Sequence, residues 1–217
     1  MQARQIKTVV SLLAVAAAGT FLFLRFFEPD PKIEARPHLA IGEALAEQAM
    51  KALGTGGRII LIAPDVAAFK YPAYQLQLKA FHQSLRQAKL NVAGTNWIKL
   101  NPLYIRRVPP GDFAEIMRKQ TDADVVVSLI GPPLLTAEQK ARVGEKRPRV
   151  IAICSGDMPL YFNLKPLFAD NFLHAALISR RPSGAVPQSD NLSQTFNHFF
   201  QWITAQNLAD LPEPAAR

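Results

Sequence analysis

The sequence predicts an α/β fold: a single three-layer α/β/α domain around a mostly parallel five-stranded sheet, order 2-1-3-4-5, preceded by one N-terminal transmembrane helix. Three observations carry this. Residues 58–63 (RIILIA), 124–130 (DVVVSLI) and 149–154 (RVIAIC) are short continuous apolar runs, the pattern of strands buried on both faces. Amphipathic helical stretches alternate with them, which calls for right-handed crossovers and helices on both sides of a parallel sheet. Ahead of both, residues 8–24 carry no charge.

The uncharged segment follows a seven-residue head that contains Arg4 and Lys7, and Arg25 closes it. A spanning helix needs ~20 apolar residues, with ~17 as the lower limit. Phe26 and Phe27 lengthen the apolar surface if Arg25 snorkels to the interface. A cleaved signal peptide is the rival reading, since Ala16, Ala17, Ala18 and Gly19 supply small residues after a short apolar core. The apolar run resumes after Gly19, which favours an uncleaved anchor. A short head before a first apolar segment stays inside. The expectation is therefore a single-pass inner-membrane protein with a periplasmic domain. The predicted organisation is a cytoplasmic head at 1–7, an anchor at 8–27, a proline-rich linker at 28–37, the α/β domain at 38–207 and a disordered tail at 208–217.

Composition narrows the classes. The net charge is +8, from 25 basic and 17 acidic residues. Three of the basic residues belong to the head and anchor, so the domain has a mild excess and not a nucleic-acid footprint. The densest basic stretch is Lys140, Arg142, Lys146, Arg147 and Arg149. It reads as a solvated helix end, with anionic headgroups or an acidic partner as the sharper alternative. The single cysteine, Cys154, allows no intrachain disulfide, and no cysteine follows the apolar segment to accept a lipid.

The elements follow in order. Residues 38–53 are helix-like, with Ile41, Leu45, Ala49 and Leu53 at four-residue spacing. The glycine-rich 54–57 reads as its C-cap. Strand one is 58–63. Residues 72–88 form the clearest helix, with Tyr74, Leu78, Phe81 and Leu85 on one face and Pro72 in the first turn. Residues 90–98 are strand two. Asp112 and Glu115 resemble a capping box for a helix running to Thr121. Strand three is 124–130. Thr136 with Gln139 caps a short helix that stops at Gly144. Strand four is 149–154, and 157–171 is irregular or weakly helical. Strand five is 173–179. Residues 191–207 read as a last helix, with Leu192, Phe196, Phe199, Phe200 and Ile203 on one face.

Residues 58 to about 181 resemble the first lobe of type I periplasmic solute-binding proteins. The shared pattern runs from a strand with an aromatic loop (RIILIAPDVAAFKYP) through a long helix to the strand LNVAGTNW. The strands DADVVVSLIG and RPRVIAICSG follow. In that family ligand is met by the positions of Phe69 or Tyr71 in the first loop and of Ser155 or Asp157 after strand four. Those proteins close two lobes around a ligand, and this chain has room for one. The resemblance therefore implies a cleft that is absent or completed by another subunit.

Ligands of open α/β sheets sit beyond the carboxyl ends of the strands. That rule and the resemblance nominate Asp65, Phe69, Tyr71, Asn96, Ser155 and Asp157 as ligand-binding candidates. No catalytic residue and no metal ligand is nominated, and no cofactor is expected. The 54–57 glycines precede the first strand and lack a Walker or dinucleotide pattern. Ser155 lacks the flanking glycines of a nucleophile elbow, so a Ser155–His174 hydrolase is the weakest reading. Ser155-Gly156-Asp157 reads instead as a turn whose side chains cap the next segment. Asp65 lacks the further carboxylates that hold Mg²⁺ in phosphoryl acceptors. His38, His82, His174 and His198 share no ligand spacing.

The leading functional reading is a non-catalytic, membrane-anchored accessory or scaffold subunit of a bacterial envelope complex. Its partners are the membrane and other protein subunits, with a possible small-molecule ligand and no nucleic acid. The alternative is a small-molecule sensing or solute-binding module.

Overall fold

The computed structural model describes residues 12–23, 33–65, 71–100, 107–181, 184 and 191–214. The chain divides into two units, Met1–Lys32 and Ile33–Arg217. In the first, residues 12–23 form helix α1 with exposed side chains. No helix among the described residues is long and apolar enough to cross a membrane. Residues 8–11 and 24–27 of the expected anchor lie outside the described residues.

The second unit holds a six-stranded sheet in the order β2-β1-β3-β4-β5-β6. The strands are β1 (Ile59–Pro64), β2 (Val92–Ile98), β3 (Val125–Ser128), β4 (Arg149–Ile153), β5 (Ala175–Ser179) and β6 (Phe200–Thr204). The first five pair in parallel, in the expected 2-1-3-4-5 order. The sixth corrects the expectation of five. It pairs antiparallel with β5, from Ala175↔Thr204 to Ser179↔Phe200.

The expected 191–207 helix is therefore three elements: α8 (Leu192–Phe199), β6, and a 3-10 helix at Ala205–Asp210. The spacing of Phe196, Phe199, Phe200 and Ile203 fits a helical stripe. However, Phe200-Gln201-Trp202-Ile203-Thr204 is also rich in aromatic and β-branched residues, which suit a strand. The open edge of β5 decides between them, because pairing satisfies its backbone groups. Leu211 is 7% exposed and joins the core, so packing runs into the stretch expected to be disordered.

The remaining helices are α2 (Ala35–Ala52), α3 (Pro72–Gln87), α4 (Pro110–Arg118), α5 (Ala137–Val143), α6 (Met158–Tyr161) and α7 (Lys165–Ala169). Right-handed crossovers put α3 on one face, where α2 and α8 join it, and α4 to α7 on the other. Helix α2 begins inside the expected linker, with Arg36 and Pro37 in its first turn. It buries Ile41, Leu45 and Ala49 and packs closely on α3 at Gly42. A Cβ there would stand 2.2 Å from the Gln77 carbonyl oxygen, so only glycine lets the two backbones approach.

Local chemistry explains the other boundaries. Thr136 and Gln139 form the expected capping box, Gln139 N–H donating to Thr136 Oγ1 at 3.3 Å and Thr136 N–H to Gln139 Oε1 at 2.9 Å. Gly144 stops α5 with φ +81°. Helix α4 differs from expectation. It starts at Pro110 behind Pro109, with no side-chain cap. Proline supplies the helical φ and lacks the N–H that a cap would satisfy. Glu115 instead pairs with Lys119 at 2.7 Å. The glycines at 54–57 do not cap α2, whose C-cap is Leu53. They bring the chain against Ala123: Gly54 N–H donates to its carbonyl at 3.0 Å.

Candidate functional site

Five parallel strands, β1 to β5, end at one edge of the sheet, and the candidate residues distribute towards it. At the β1 end, Asp65 is half-buried, and its N–H donates to the Ile98 carbonyl at 2.8 Å. Tyr71 opens α3, with its ring edge-on to Tyr74 at 5.8 Å. Asn96 stands opposite Ile62 on β2, and its amide donates to the Leu61 carbonyl at 3.4 Å. That bond turns the side chain back onto the sheet. Phe69 lies outside the described residues.

Ser155 and Asp157 follow β4. Gly156 takes φ +69°, a left-handed turn that favours glycine. Its N–H donates to Ser179 Oγ at 2.9 Å, tying the turn to the end of β5. Asp157 occupies the N-cap position of α6 without a side-chain cap, so the expected capping role is not filled and the exposed carboxylate is available. Two strand spacings of ~4.8 Å separate the ends of β1 and β4, so the Asp65 and Asp157 groups stand about 10 Å apart or more in the sheet plane.

A cavity of about 470 Å³ opens at the ends of β4 and β5. Asp157, Ser179, Arg180, Gln201 and Asp210 give it polar walls, and Leu160 and Ile178 give it apolar ones. Arg180 donates to Gln201 Oε1 at 3.2 Å. Of the five candidates among the described residues, only Asp157 lines this cavity. Sequence reasoning missed Ser179, Arg180, Gln201 and Asp210. Gln201 enters the site only because β6 pairs with β5, and the aromatic and β-branched content of 200–204 was the available signal. A smaller groove of about 150 Å³, with Glu43, Glu47, Phe196 and Trp202, runs between α2 and α8. It belongs to the helical face and not to the strand ends.

The arrangement suits binding better than bond-breaking. His174 precedes β5 and sits opposite Val150: its N–H donates to the Val150 carbonyl at 2.8 Å, and Nδ1 accepts from Val150 N–H at 3.1 Å. Burial, then Arg149 and Arg147, lower its pKa. Ser155 lies five residues further along β4, about 16 Å away at ~3.3 Å per residue. No proton passes directly between them, which corrects the Ser155–His174 pairing. Cys154 is fully buried, and burial pushes its thiol up, away from the reactive thiolate. No group of three or more His, Cys, Asp or Glu among the described residues is placed to hold a metal ion.

No family model matches the chain, and no curated protein sequence matches it. Solved structures do. An ABC-transporter solute-binding protein from Burkholderia graminis C4D1M, in complex with D-arabinose, aligns at TM-score 0.50 and 13% identity over 80% of this chain and 61% of that one. A carbohydrate-transporter solute-binding protein from Agrobacterium radiobacter, also with D-arabinose, aligns at 0.47 and 12% over 82% and 61%. A sugar-binding protein of a Bacillus halodurans transporter aligns at 0.46 and 10% over 81% and 64%. The chain thus spans about three fifths of these proteins. At the first of these scores the likeness is one of fold, and it agrees with the resemblance read from residues 58–181.

Proposed function

We propose that this protein is a non-catalytic solute-binding module, extracytoplasmic and tethered to the membrane by its N-terminal segment. The observation that carries the reading is the cavity at the ends of β4 and β5, with Asp157, Ser179, Arg180, Gln201 and Asp210 around it. Carboxylate, guanidinium, amide and hydroxyl groups set there supply donors and acceptors to a small polyhydroxylated solute, and Leu160 and Ile178 take its apolar face. The solute-binding fold and the D-arabinose in the first neighbour support a pentose as the first ligand to test. In this reading the module passes its solute to a transporter, the kind of protein that the first neighbour serves.

The test is thermal unfolding of the detergent-solubilised full chain against D-arabinose and other neutral monosaccharides. A ligand bound only by the folded state raises the melting temperature progressively with concentration. Arg180→Ala removes the rise. No rise with any sugar overturns the reading. The second reading, an accessory or scaffold subunit, then takes its place.

A further inference from the structure

From Val66 to Gly111 the sequence holds seven Lys or Arg and no Asp or Glu. Residues 28–217 carry 22 basic and 17 acidic side chains. Without this stretch they would be acidic by two, so the stretch alone makes the domain basic. It contains α3 and β2. Where these two meet, a hollow of about 430 Å³ opens. Exposed Lys79 and Arg86 and half-buried His82 stand over Leu85, Leu90 and Val92, which are buried or half-buried. The hollow lies at the amino edge of the sheet, where β2 begins, away from the cavity at the ends of β4 and β5.

Local structure builds the hollow. Lys79, His82 and Arg86 recur at i, i+3 and i+7, which stacks them in one stripe of α3. Leu90 N–H donates to the Leu85 carbonyl at 2.8 Å, the bond that folds a chain back after a helix through a left-handed residue. That residue is Lys89, at φ +59°, where glycine is the ordinary choice. The turn brings Leu90 back to Leu85 and sets another cation at the end of the stripe. The side chains of Lys79, Arg86 and Lys89 form no ion pair among the described residues. The acidic groups of the neighbouring elements lie elsewhere. Glu43 and Glu47 of α2 line the groove towards α8. Glu34 precedes α2 at the end that meets the start of α3, and Asp65 follows β1 at the carboxyl edge. Asp124 is clasped by Arg58. Asp122 precedes β3, and β1 separates β3 from β2.

We infer that this hollow docks an acidic peptide segment of a partner protein, with its carboxylates against Lys79, Arg86 and Lys89 and one apolar side chain seated on Leu90 and Val92. An apolar base under a cationic rim selects both features at once. A nucleic acid would meet the cations, but no Phe, Tyr or Trp lines the hollow for its bases to stack on. A flat bilayer covers a concavity without filling it. A second copy, paired about a two-fold axis, brings the same sign of charge to the same face and is repelled. An added strand on the open edge of β2 is disfavoured too. Ile59 pairs with Val92 and Ile60 with Gly94, so Ala93 is a bulge, which bends an edge strand away from further pairing. Charge complementarity speeds encounter and excludes cationic partners, and the apolar anchor supplies burial. The inference is independent of the solute cavity and of the tether.

The probe is a fluorescein-labelled peptide, Glu-Asp-Glu-Leu-Phe-Glu-Asp, titrated with the detergent-solubilised full chain and followed by fluorescence anisotropy. Saturable binding is expected. Replacing its Leu-Phe by Ser-Ser weakens binding by roughly tenfold or more, because the apolar side chain leaves the base of the hollow. Lys79→Gln combined with Arg86→Gln weakens it by roughly tenfold, the loss of two exposed ion pairs. Lys89→Gly also weakens it, while the melting temperature holds or rises because φ +59° suits glycine. A purely structural Lys89 would show the opposite, an unchanged affinity. The absence of saturable binding overturns the inference. Equal binding of the Ser-Ser peptide means that bulk charge alone attracts it, which overturns the docking. Unchanged binding to the double variant places the peptide elsewhere on the chain and does the same. Displacement of the peptide by phosphatidylglycerol vesicles or by an oligothymidylate more readily than by unlabelled peptide makes the occupant a lipid or a nucleic acid, and overturns the peptide. The sugar-dependent melting shift is a separate measurement, so its failure imitates none of these.

Discussion

The guanidinium of Arg58 clasps the carboxylate of Asp124 across the start of β1 and β3, Nη2 donating to Oδ2 at 3.1 Å and Nε to Oδ1 at 3.3 Å. The backbone joins in: Arg58 N–H donates to Oδ1 at 2.7 Å and Thr121 N–H to Oδ2 at 2.8 Å. Asp124 is 2% exposed at its side chain and Arg58 55%. One buried carboxylate thus sets β1 and β3 side by side and ends the α4–β3 turn.

Burial pushes the Asp124 carboxyl up, but the Arg58 guanidinium and the two backbone N–H groups outweigh it and hold the pKa at about 2, below the ordinary 3.8. A depressed acid favours folding above its unfolded pKa and loses that contribution as pH falls through its folded one. Acid titration followed by circular dichroism therefore shows a loss of about 1–2 kcal/mol between pH ~4 and ~2, less than the full shift because Arg58 is half exposed. Asp124→Ala removes this step and costs about 2–4 kcal/mol at neutral pH, since two buried N–H groups lose their acceptor.

His38, His82 and His174 have pKa values lowered, in each case first by burial. A base so lowered is neutral in the folded protein while the unfolded chain takes up the proton. Stability is full above the ordinary 6.5 and declines as pH falls below it, down to the folded pKa values. Urea midpoints measured from pH 8 to pH 5 decrease, and His174→Gln flattens the profile.

Gly42→Ala forces α2 and α3 apart, because the new methyl meets backbone and not a flexible side-chain end. Overpacking of this kind costs about 1–3 kcal/mol. Gly111→Ala, with nothing within 4 Å of its Cβ position, is the control, and the melting temperature of the first falls well below that of the second.

Ile203 is fully buried on β6. Ile203→Ala destabilises by about 2–5 kcal/mol in chemical denaturation. Hydrogen exchange distinguishes a strand from a helix here: the amides of β6 that bond β5 are protected as an edge ladder, with protection lost together with that of β5. Exchange of 200–204 in step with α8 alone contradicts the pairing.

Cys154 N–H donates to the Leu177 carbonyl at 2.7 Å, and its side chain is fully enclosed. An aromatic disulfide reagent leaves it untouched in the native protein and titrates one thiol after denaturation. Rapid native labelling would mean that the β4–β5 layer opens.

Legibility in the sequence tracked burial. The runs of β1, β3 and β4 were readable because both faces of those strands are covered, so every residue is apolar. The capping box of Thr136 and Gln139 was readable because both partners lie within three residues. The candidate site was less so. Asp157 was found from its place after an apolar run. Arg180 and Gln201 were not, because they meet only when two distant segments pair.

By itself the sequence determined the alternation of buried strands and amphipathic helices, hence the parallel 2-1-3-4-5 core, through side-chain periodicity and local capping. Tertiary structure decided the rest. Residues 200–204 carry a pattern that serves helix and strand alike, and the unpaired backbone of β5 selects the strand. The same choice moves Gln201 to the cavity beside Arg180.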